Sequence, residues 1–406
     1  MKTAAIISEY NPFHKGHEYQ IRLTRDAGAT HIISLMSGNF VQRGLPAIID
    51  KYRRAEMAIL GGADLVLELP TVYALSSAEF FAEGSIRILN ALKGVDMLSF
   101  GSEEGNLEPL KAMAQILATE PEEFRSLLKT ELSHGQSYAK ARNAALKKLV
   151  PHFDVEFIQS PNNILGVEYL KALIRTKSDI VPFTVKRKGK GYHDTDLVEE
   201  QFASATALRQ GMMTDESIKE FIPAEVNVYM DELVQKDYPF MTQEDFKDLL
   251  HYRLITEEER LVGILEANEG LDSRILSLAH DLKGQDLESF IDSVKTKRYA
   301  RTRISRILMQ FLLSFDREDI ESLRRQTPDS VKILALNEKG REILSSLRKE
   351  REIEILHNFG RQLDPFQRID QKASRIYALK NRSYNPRWDF IGFDESTRNN
   401  LHKNRK

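Results

Sequence analysis

Cysteine is absent from this sequence of 406 residues. A disulfide scaffold, a thiolate nucleophile and any zinc or iron–sulfur site with cysteine ligands are therefore excluded. Long apolar runs are missing as well. The run from Ala4 to Ile7 is too short for a signal-peptide core or a membrane span, and no other segment is apolar and free of charge over about eighteen residues. Together these absences predict a cytoplasmic protein that does not enter a membrane.

An excess of charge of one sign is also lacking. The chain carries 58 basic and 60 acidic side chains, so it is not a polycation, and a surface for nucleic acid would have to be local. Hydrophobic residues make up 41% of the chain, a share that excludes disorder over its whole length. At about 100–200 residues per domain, the length predicts two domains.

The first two hundred residues alternate short apolar runs with stretches of helical period. Continuous apolar runs are typical of strands buried on both faces of a parallel sheet, and their alternation with helices predicts βαβ units in a doubly wound α/β sheet. The predicted strands are Thr3–Ser8, His31–Met36, Asp64–Leu69 and Val95–Phe100, with a weaker pair at Val155–Gln159 and Ile180–Lys186. The predicted helices are Glu18–Asp26, Lys51–Leu60 and Ser77–Leu92.

After about Met213 the chain becomes richer in helical patterns and in charge. One short apolar run, Val331–Leu336, could form a strand there. We therefore predict an α/β domain over residues 1–215 and a mostly helical domain over residues 216–406. In a doubly wound sheet the ligand binds beyond the carboxyl ends of the strands. The loops that follow the predicted strands are therefore the predicted ligand-binding region.

The most informative motif, Asn11-Pro12-Phe13-His14-Lys15-Gly16-His17, directly follows the first predicted strand. Gly16 lets the backbone approach a ligand closely, and the N-terminus of the next helix offers unpaired N–H groups to phosphate. His14 and His17 can donate hydrogen bonds to phosphate oxygens and stabilise the charge that develops when an α-phosphate is attacked. By spacing alone they could also cap the helix, lie on the surface or share a metal ion. However, no carboxylate is placed as in H-E-x-x-H, and the position after a strand favours a nucleotide.

A second motif, Ser204-Ala205-Thr206-Ala207-Leu208-Arg209, has the character of a helix start. Hydroxyl side chains followed one turn later by an arginine can form a second oxyanion clamp, although Ser and Thr often only cap helices. The two motifs resemble the H-x-G-H and S-[ST]-T-x-x-R signatures of the nucleotidyltransferase superfamily, which includes adenylyltransferases and class I aminoacyl-tRNA synthetases. The second motif departs from its signature at Ala205, which has no hydroxyl group.

Longer segments resemble one bacterial family, the tRNA(Met) cytidine acetate ligases. These segments are SEYNPFHKGHEYQI, SGNFVQRGLPAI with the following DKYRRAEMAI, GADLVLELP and SPNNILGVEYL. The resemblance implies a Rossmann-like nucleotidyltransferase sheet of the HUP type and ATP-dependent activation of acetate to acetyl-adenylate. It further implies transfer of the acetyl group to N4 of the wobble cytidine in elongator tRNA(Met). ATP, acetate and tRNA are thus the expected ligands. Mg²⁺ is expected to bridge the phosphates, without a dedicated set of protein ligands.

The resemblance also assigns an ATP site, in which His14 and His17 are the predicted catalytic residues. The residues predicted to bind the nucleotide are Ile7, Ser8, Glu9, Tyr10, Asn11, Pro12, Phe13, His14, Lys15, Gly16, His17, Glu18, Tyr19, Gln20, Gly101, Asn162, Arg187, Lys188, Ser204, Thr206 and Arg209. Without the resemblance, Gly101 could be a turn glycine and Asn162 a helix cap. The pair Arg187-Lys188 could equally lie in a solvated loop.

Further basic residues follow the second predicted strand, at or just past the same edge of the sheet. A cation there could hold departing pyrophosphate or the tRNA backbone; for two of these residues, Arg53 and Arg54, a charged helix face is an equally good interpretation. The residues are Arg43, Lys51, Arg53 and Arg54. Asn39 and Gln42 could contact the acetate or the cytosine edge.

A basic cluster at residues 295–306 is the predicted RNA-binding surface. Its six cations, with no acidic residue between them, are Lys295, Lys297, Arg298, Arg301, Arg303 and Arg306. Interleaved hydroxyl groups and Tyr299 suit a phosphate backbone with an unstacked base nearby. The lack of acidic residues in the segment favours RNA over a solvated helix face. The basic stretch from residue 371 to residue 406 could bind RNA or form an ordinary packed terminus.

Two other functions are compatible with these sequence features. A small-molecule adenylyltransferase would carry both signatures, but such enzymes are usually much shorter. An RNA-binding or assembly factor could use the nucleotide fold for binding without turnover.

Overall fold

A seven-stranded sheet organises the computed structural model, which describes residues 1–136, 138–150, 160–187, 204–213, 218–348 and 350–393. Its strand order is β7-β6-β1-β2-β5-β8-β9, and β3 pairs with β4 in a separate ribbon. The strands are β1 (Thr3–Ser8), β2 (His31–Ser37), β3 (Phe40–Val41), β4 (Leu45–Pro46), β5 (Leu65–Leu69), β6 (Met97–Ser102), β7 (Val181–Lys186), β8 (Ser330–Leu336) and β9 (Glu354–Leu356).

Helices cover the sheet and form most of the remainder. In the N-terminal half they are α1 (Lys15–Asp26), α2 (Lys51–Leu60), α3 (Thr71–Ala74), α4 (Ala78–Leu92), α5 (Leu107–Thr119), α6 (Glu122–Ser133), α7 (Tyr138–Leu149), α8 (Pro161–Arg175) and α9 (Ala205–Met213). They continue with α10 (Ala224–Gln235), α11 (Lys247–Thr256), α12 (Glu258–Val262), α13 (Leu271–Leu278), α14 (Leu287–Val294), α15 (Arg301–Leu312), α16 (Arg317–Leu323), α17 (Glu338–Leu347), α18 (Pro365–Lys380) and α19 (Trp388–Ile391). Short 3₁₀ helices span Lys219–Phe221, Gln243–Phe246 and Ala279–Gly284.

The parallel part of the sheet confirms the predicted α/β fold class. β1 lies between β2 and β6 in parallel register, with Thr3 opposite His31 and Ala4 opposite Met97. The strand predicted at residues 3–8 and the helix predicted at residues 51–60 coincide with β1 and α2. The predicted strand Val155–Gln159 lies outside the described residues.

The C-terminal region contributes two strands to the same sheet. β8 pairs antiparallel with β5, and β9 pairs parallel with β8. These pairings cover an edge of the parallel sheet that would otherwise expose unpaired backbone groups. The division into domains at residue 215 remains a prediction, and the sheet itself draws strands from both sides of that position. None of the helices within the described ranges is long and apolar enough to cross a membrane.

Helix α18 lies against the start of α3 and holds a buried carboxylate there. Asp370 Oδ1 accepts a hydrogen bond from the Thr71 N–H at 2.7 Å. Burial, followed by the negative charge of Glu68, raises the pKa of Asp370 from 3.8 to about 8. The folded state therefore favours the protonated form of Asp370. Its contribution to the free energy of unfolding is fully present below the ordinary pKa of 3.8 and is lost as the pH rises through about 8.

The Asp370→Asn variant should therefore gain stability relative to the wild type as the pH is raised from about 5 to about 8.5. The amide cannot ionise, yet its carbonyl oxygen can still accept the Thr71 N–H. The free energy of unfolding, measured in urea at both pH values, checks this. A difference between the two proteins that stays constant with pH would contradict it.

Candidate active site

The first turn of α1 is built by two histidines that cap it reciprocally. His14 is the N-cap residue, and its Nδ1 accepts a hydrogen bond from the Gly16 N–H at 3.0 Å. His17 Nδ1 accepts from the His14 N–H at 3.2 Å, and the two rings stack with centroids 3.7 Å apart. Since each Nδ1 accepts a hydrogen bond, each neutral ring carries its proton on Nε2. The turn thus supplies two Nε2–H donors next to the helix N-terminus.

Both imidazoles are neutral at physiological pH. Burial, together with the charges of Arg187 and Arg209, lowers the pKa of His14 to about 3. Burial and the neighbouring His14 lower the pKa of His17 well below its ordinary value. The pair therefore offers hydrogen bonds rather than positive charge.

Gly16 is required at its position by the His14 ring. A Cβ atom there would lie 2.8 Å from His14 Cε1 and 2.9 Å from Nδ1, closer than side-chain atoms approach one another. The sequence predicted a glycine that brings the backbone close to a ligand. That approach stays a prediction; within the protein, the group next to this backbone is the capping imidazole.

A cavity of about 250 Å³ opens beside this turn, at the carboxyl ends of β1, β6 and β7. It brings together most of the residues predicted for the nucleotide: Ile7, Ser8, Glu9, Tyr10, Asn11, His14, Gly16, His17, Tyr19, Gln20, Gly101, Asn162, Arg187, Ser204, Thr206 and Arg209. The two signature motifs, about 190 residues apart in sequence, thus face one space.

Four of the predicted residues do not line the cavity, namely Pro12, Phe13, Lys15 and Glu18. Phe13 instead packs in the core, where its ring fills the space next to Gly61. Lys15 and Glu18 are the two of these residues that belong to α1, and they do not reach the cavity because a helix presents only one side to it. Lys188 lies outside the described residues.

Some lining residues had not been predicted for the nucleotide, chiefly the apolar wall. It is formed by Phe81, Phe100, Leu165 and Tyr169. A signal for part of it was available, since Asn162, Leu165 and Tyr169 recur at spacings of three and four and so share one face of α8. The strand residue Phe100 gave no such signal.

The lining also contains four cationic side chains. Arg43, Lys186, Arg187 and Arg209 line the cavity, and Glu9 is the one carboxylate among the described residues that do so. Thr206 Oγ1 accepts hydrogen bonds from Arg43 and Arg209, each at 3.2 Å, and Arg209 also donates to the Asn11 carbonyl at 2.8 Å. Such fixed guanidinium groups are suited to phosphate oxygens.

The interpretation of Lys51, Arg53 and Arg54 as contacts to pyrophosphate or the tRNA backbone is wrong, and so is the charged helix face considered for Arg53 and Arg54. All three are buried. Arg54 donates to the carbonyl groups of Glu9, Ser37, Gly38 and Ile49, and Arg53 pairs with Asp50 at 2.5 Å. Only Arg43 of this group lines the cavity, together with Gln42. Asn39 lies at the start of α2, where its Oδ1 accepts a hydrogen bond from the Lys51 N–H.

The basic cluster at 295–306 has acidic partners that its own segment does not contain. Arg301 pairs with Glu288 and Asp292, whereas Arg303 and Arg306 pair with Glu269 and Glu266. The assumption that these cations lack acidic partners is therefore wrong. Lys295, Lys297 and Arg298 remain exposed. Within the described ranges, neither Lys295 nor Lys297 forms an ion pair.

Known proteins match the chain over nearly its full length. A family model described as HIGH Nucleotidyl Transferase matches residues 1–389. The tRNA(Met) cytidine acetate ligase of Clostridium botulinum strain Langeland is 39% identical over 393 residues, covering 94% of this chain and 95% of the relative. The enzyme of the same name from Clostridium novyi strain NT is 39% identical over 401 residues, covering 96% and 98%. The chain belongs to the tRNA(Met) cytidine acetate ligase family.

Solved structures of TmcAL from Thermotoga maritima extend the likeness to three dimensions. The TM-score is 0.88 for an apo form and 0.87 for a form bound with alpha-thio ATP. Each is 32% identical to this chain and matches 96% of it and 98% of the solved chain. The family resemblance and the nucleotidyltransferase fold predicted from the sequence are confirmed, whereas the roles of individual residues remain predictions.

Proposed function

We propose that this protein is an ATP-dependent ligase that attaches acetate to N4 of the wobble cytidine of elongator tRNA(Met). The observation that carries the proposal is the cavity in which two neutral imidazoles at a helix N-terminus face four cationic side chains. This arrangement suits a polyphosphate whose α-phosphate lies at the helix N-terminus. The names of the relatives supply the acetate and the tRNA.

In the first step, an acetate oxygen attacks the α-phosphate of ATP and pyrophosphate leaves. The Nε2–H groups of His14 and His17 would donate to the non-bridging oxygens, on which negative charge increases in the transition state. Because both rings are neutral donors held by Nδ1 contacts, they require no reorganisation during the step. Arg43, Arg187 and Arg209 would hold the β- and γ-phosphates through charge-assisted hydrogen bonds.

The adenosine would lie on the apolar side of the cavity. Phe100 and Tyr169 provide aromatic surface for the base, and Gly101 leaves the end of β6 without a side chain. Asn162 donates to Glu103 at 2.7 Å and lines the cavity beside them, within reach of a ribose or base edge.

Mg²⁺ would enter with the triphosphate. The described part of the chain contains no group of three or more His, Asp or Glu side chains that could hold a metal ion. Phosphate oxygens and water usually provide most of the ligands of magnesium at nucleotide sites.

In the second step, the cytidine N4 attacks the carbonyl carbon of acetyl-adenylate and AMP leaves. N4 lies on the pairing edge of the base, so an anticodon base that is splayed out of its stack is accessible. With no cysteine in the chain, an acyl-thioester intermediate on the enzyme is excluded.

The test is incubation of the purified protein with ATP, labelled acetate and bulk tRNA, followed by analysis of the tRNA nucleosides. Label in N4-acetylcytidine, together with release of AMP and pyrophosphate, is the expected result. Pyrophosphate released only with a phosphorylated metabolite would indicate a small-molecule adenylyltransferase. Binding of ATP and RNA without pyrophosphate release would indicate an assembly factor.

We further propose that the tRNA contacts the exposed members of the basic cluster, Lys295, Lys297 and Arg298. Their segment directly precedes α15, and α15 packs against a loop that lines the cavity. A Cβ on Gly44, the neighbour of the cavity residue Arg43, would lie 2.2 Å from the Arg306 backbone nitrogen. The loop that carries Arg43 therefore packs directly on the helix that follows the exposed cations.

The double variant Lys295→Ala/Lys297→Ala should bind tRNA more weakly. The slope of log affinity against log salt should become shallower by about two, because about one counterion is released for each neutralised phosphate. Filter binding over a range of salt concentrations measures both quantities. The matched control Lys111→Ala/Lys129→Ala removes the same charge from α5 and α6 and should leave the slope unchanged. Equal slopes for both double variants would contradict the proposed surface.

A further inference from the structure

Attack by the cytidine amine requires a group that accepts a proton. N4 carries two protons and must lose one as it forms the bond to the acetyl carbon, or the product amide cannot form. Within the described chain, few side chains that line the cavity can accept it, and their hydrogen bonds decide between them.

The histidines are not available as bases. In both rings Nδ1 accepts a backbone N–H, and Nε2 carries the proton. A second proton on either ring is opposed by burial, which lowers both pKa values. Their role as donors to phosphate therefore excludes a role as proton acceptors in the same state.

The phenols and the cations are unsuitable for the same task. A phenol is protonated at neutral pH and cannot accept a further proton, which applies to all three tyrosines of the lining, Tyr10, Tyr19 and Tyr169. Burial also raises the pKa of Tyr10 and of Tyr169. Arginine and lysine side chains are already protonated and cannot accept. Glu9 remains, as the one carboxylate among the described lining residues.

Glu9 is held in position and keeps one oxygen available. It follows β1, and its Oε1 accepts the Gln42 N–H at 2.8 Å. Its main-chain carbonyl accepts a hydrogen bond from the buried Arg54 guanidinium. Its Oε2 accepts no hydrogen bond from the described residues. The side chain is half-buried and therefore accessible from the cavity.

We propose that Glu9 is the catalytic base of acetyl transfer, which rests on the function proposed above. N4 forms a bond to the acetyl carbon, and the bond from that carbon to the AMP phosphate oxygen breaks. AMP leaves with the electron pair, one N4 proton passes to Glu9 Oε2, and Glu9 later releases it to water. No oxidant, reductant or further co-reactant is needed.

The first half-reaction contains no such proton transfer. Acetate is already an anion when it attacks ATP, so formation of acetyl-adenylate does not need a base. A residue that acts only as the base should therefore affect the two half-reactions unequally, and this separates it from a residue that builds the ATP site.

The Glu9→Gln variant tests this assignment. Its side-chain carbonyl can still accept the Gln42 N–H, but the amide cannot accept a proton. Acetate-dependent exchange of pyrophosphate into ATP reports the first step. Transfer of labelled acetyl to tRNA in a single turnover, with enzyme in excess, reports the second. We expect the rate of transfer to fall by about a hundredfold or more relative to the rate of exchange, the usual range for loss of a general base.

The Glu122→Gln variant serves as the control, since Glu122 is an exposed carboxylate on α6 and should leave both rates unchanged. The assignment would be overturned if the Glu9→Gln variant transferred acetyl to tRNA at the wild-type rate. It would also be overturned if the rates of exchange and transfer fell to the same extent. If the wild-type protein itself shows neither acetate-dependent exchange nor acetylation of tRNA, the proposed function fails, and that result differs from both others.

Discussion

The His14→Asn variant should form acetyl-adenylate about a hundredfold more slowly than the wild type, while its stability to urea changes little. Asparagine is a good N-cap residue, so its side-chain oxygen can replace His14 Nδ1 as the acceptor for the first turn of α1. It cannot replace the Nε2–H donor that we assign to the α-phosphate. Acetate-dependent pyrophosphate exchange and urea unfolding measure the two effects separately.

His14→Ala is the companion variant, because it removes the donor and the cap together. It should lose exchange to a similar extent and also about 1 kcal/mol of stability, the usual cost of a lost N-cap. Normal exchange in His14→Asn would mean that the capping geometry, rather than the donor, is what the reaction needs. The proposed role of the imidazole in catalysis would then be wrong.

The Asp389→Ala variant should be destabilised by about 3–5 kcal/mol, the range found when one partner of a buried ion pair is removed. Asp389 Oδ1 lies 2.7 Å from Lys51 Nζ and 2.9 Å from Lys332 Nζ, and the Tyr52 hydroxyl donates to it at 2.8 Å. These charged groups have almost no exposed surface. Truncation would leave two buried ammonium groups with Glu68 as the nearest remaining carboxylate of the cluster.

Urea unfolding at neutral pH checks the magnitude. Glu122→Ala removes a carboxylate whose side chain is 90% exposed, and its midpoint should remain close to that of the wild type. A similar small shift in Asp389→Ala would contradict the structure, since it would require both ammonium groups to reach water. The urea midpoint of the Asp389→Asn variant should lie between those of Glu122→Ala and Asp389→Ala, because asparagine keeps a hydrogen-bond acceptor but not the charge.

The parts of the fold that could be predicted are those encoded by neighbouring residues. β1, α1 and α2 follow from apolar runs and helical spacing within a few turns, and the histidine motif identifies itself by its position after β1. The cavity could likewise be inferred, since the ends of parallel strands meet at one edge. Gly101 and Asn162 were assigned by resemblance, and both line it.

What could not be predicted depends on contacts between distant residues. Lys51 pairs with Glu68 and with Asp389, which is more than three hundred residues away in sequence, and neither pairing follows from the residues next to it. In the same way, the cations at 301–306 seemed unpaired because Glu266 and Glu269 lie outside their segment. A charge pattern shows the sign of a surface, but only the tertiary structure shows which charges are already neutralised.

The antiparallel pairing of β5 with β8 has a consequence for biosynthesis. Leu65–Leu69 leaves the ribosome long before Ser330–Leu336, and at about 5–20 residues per second the interval is on the order of 15–50 s. During that time one edge of the nascent sheet is unpaired, and Lys51 lacks Asp389. The nucleotide motifs thus emerge early, yet Lys51, which pairs with Glu68, gains its second carboxylate partner, Asp389, only when the last helices have been synthesised.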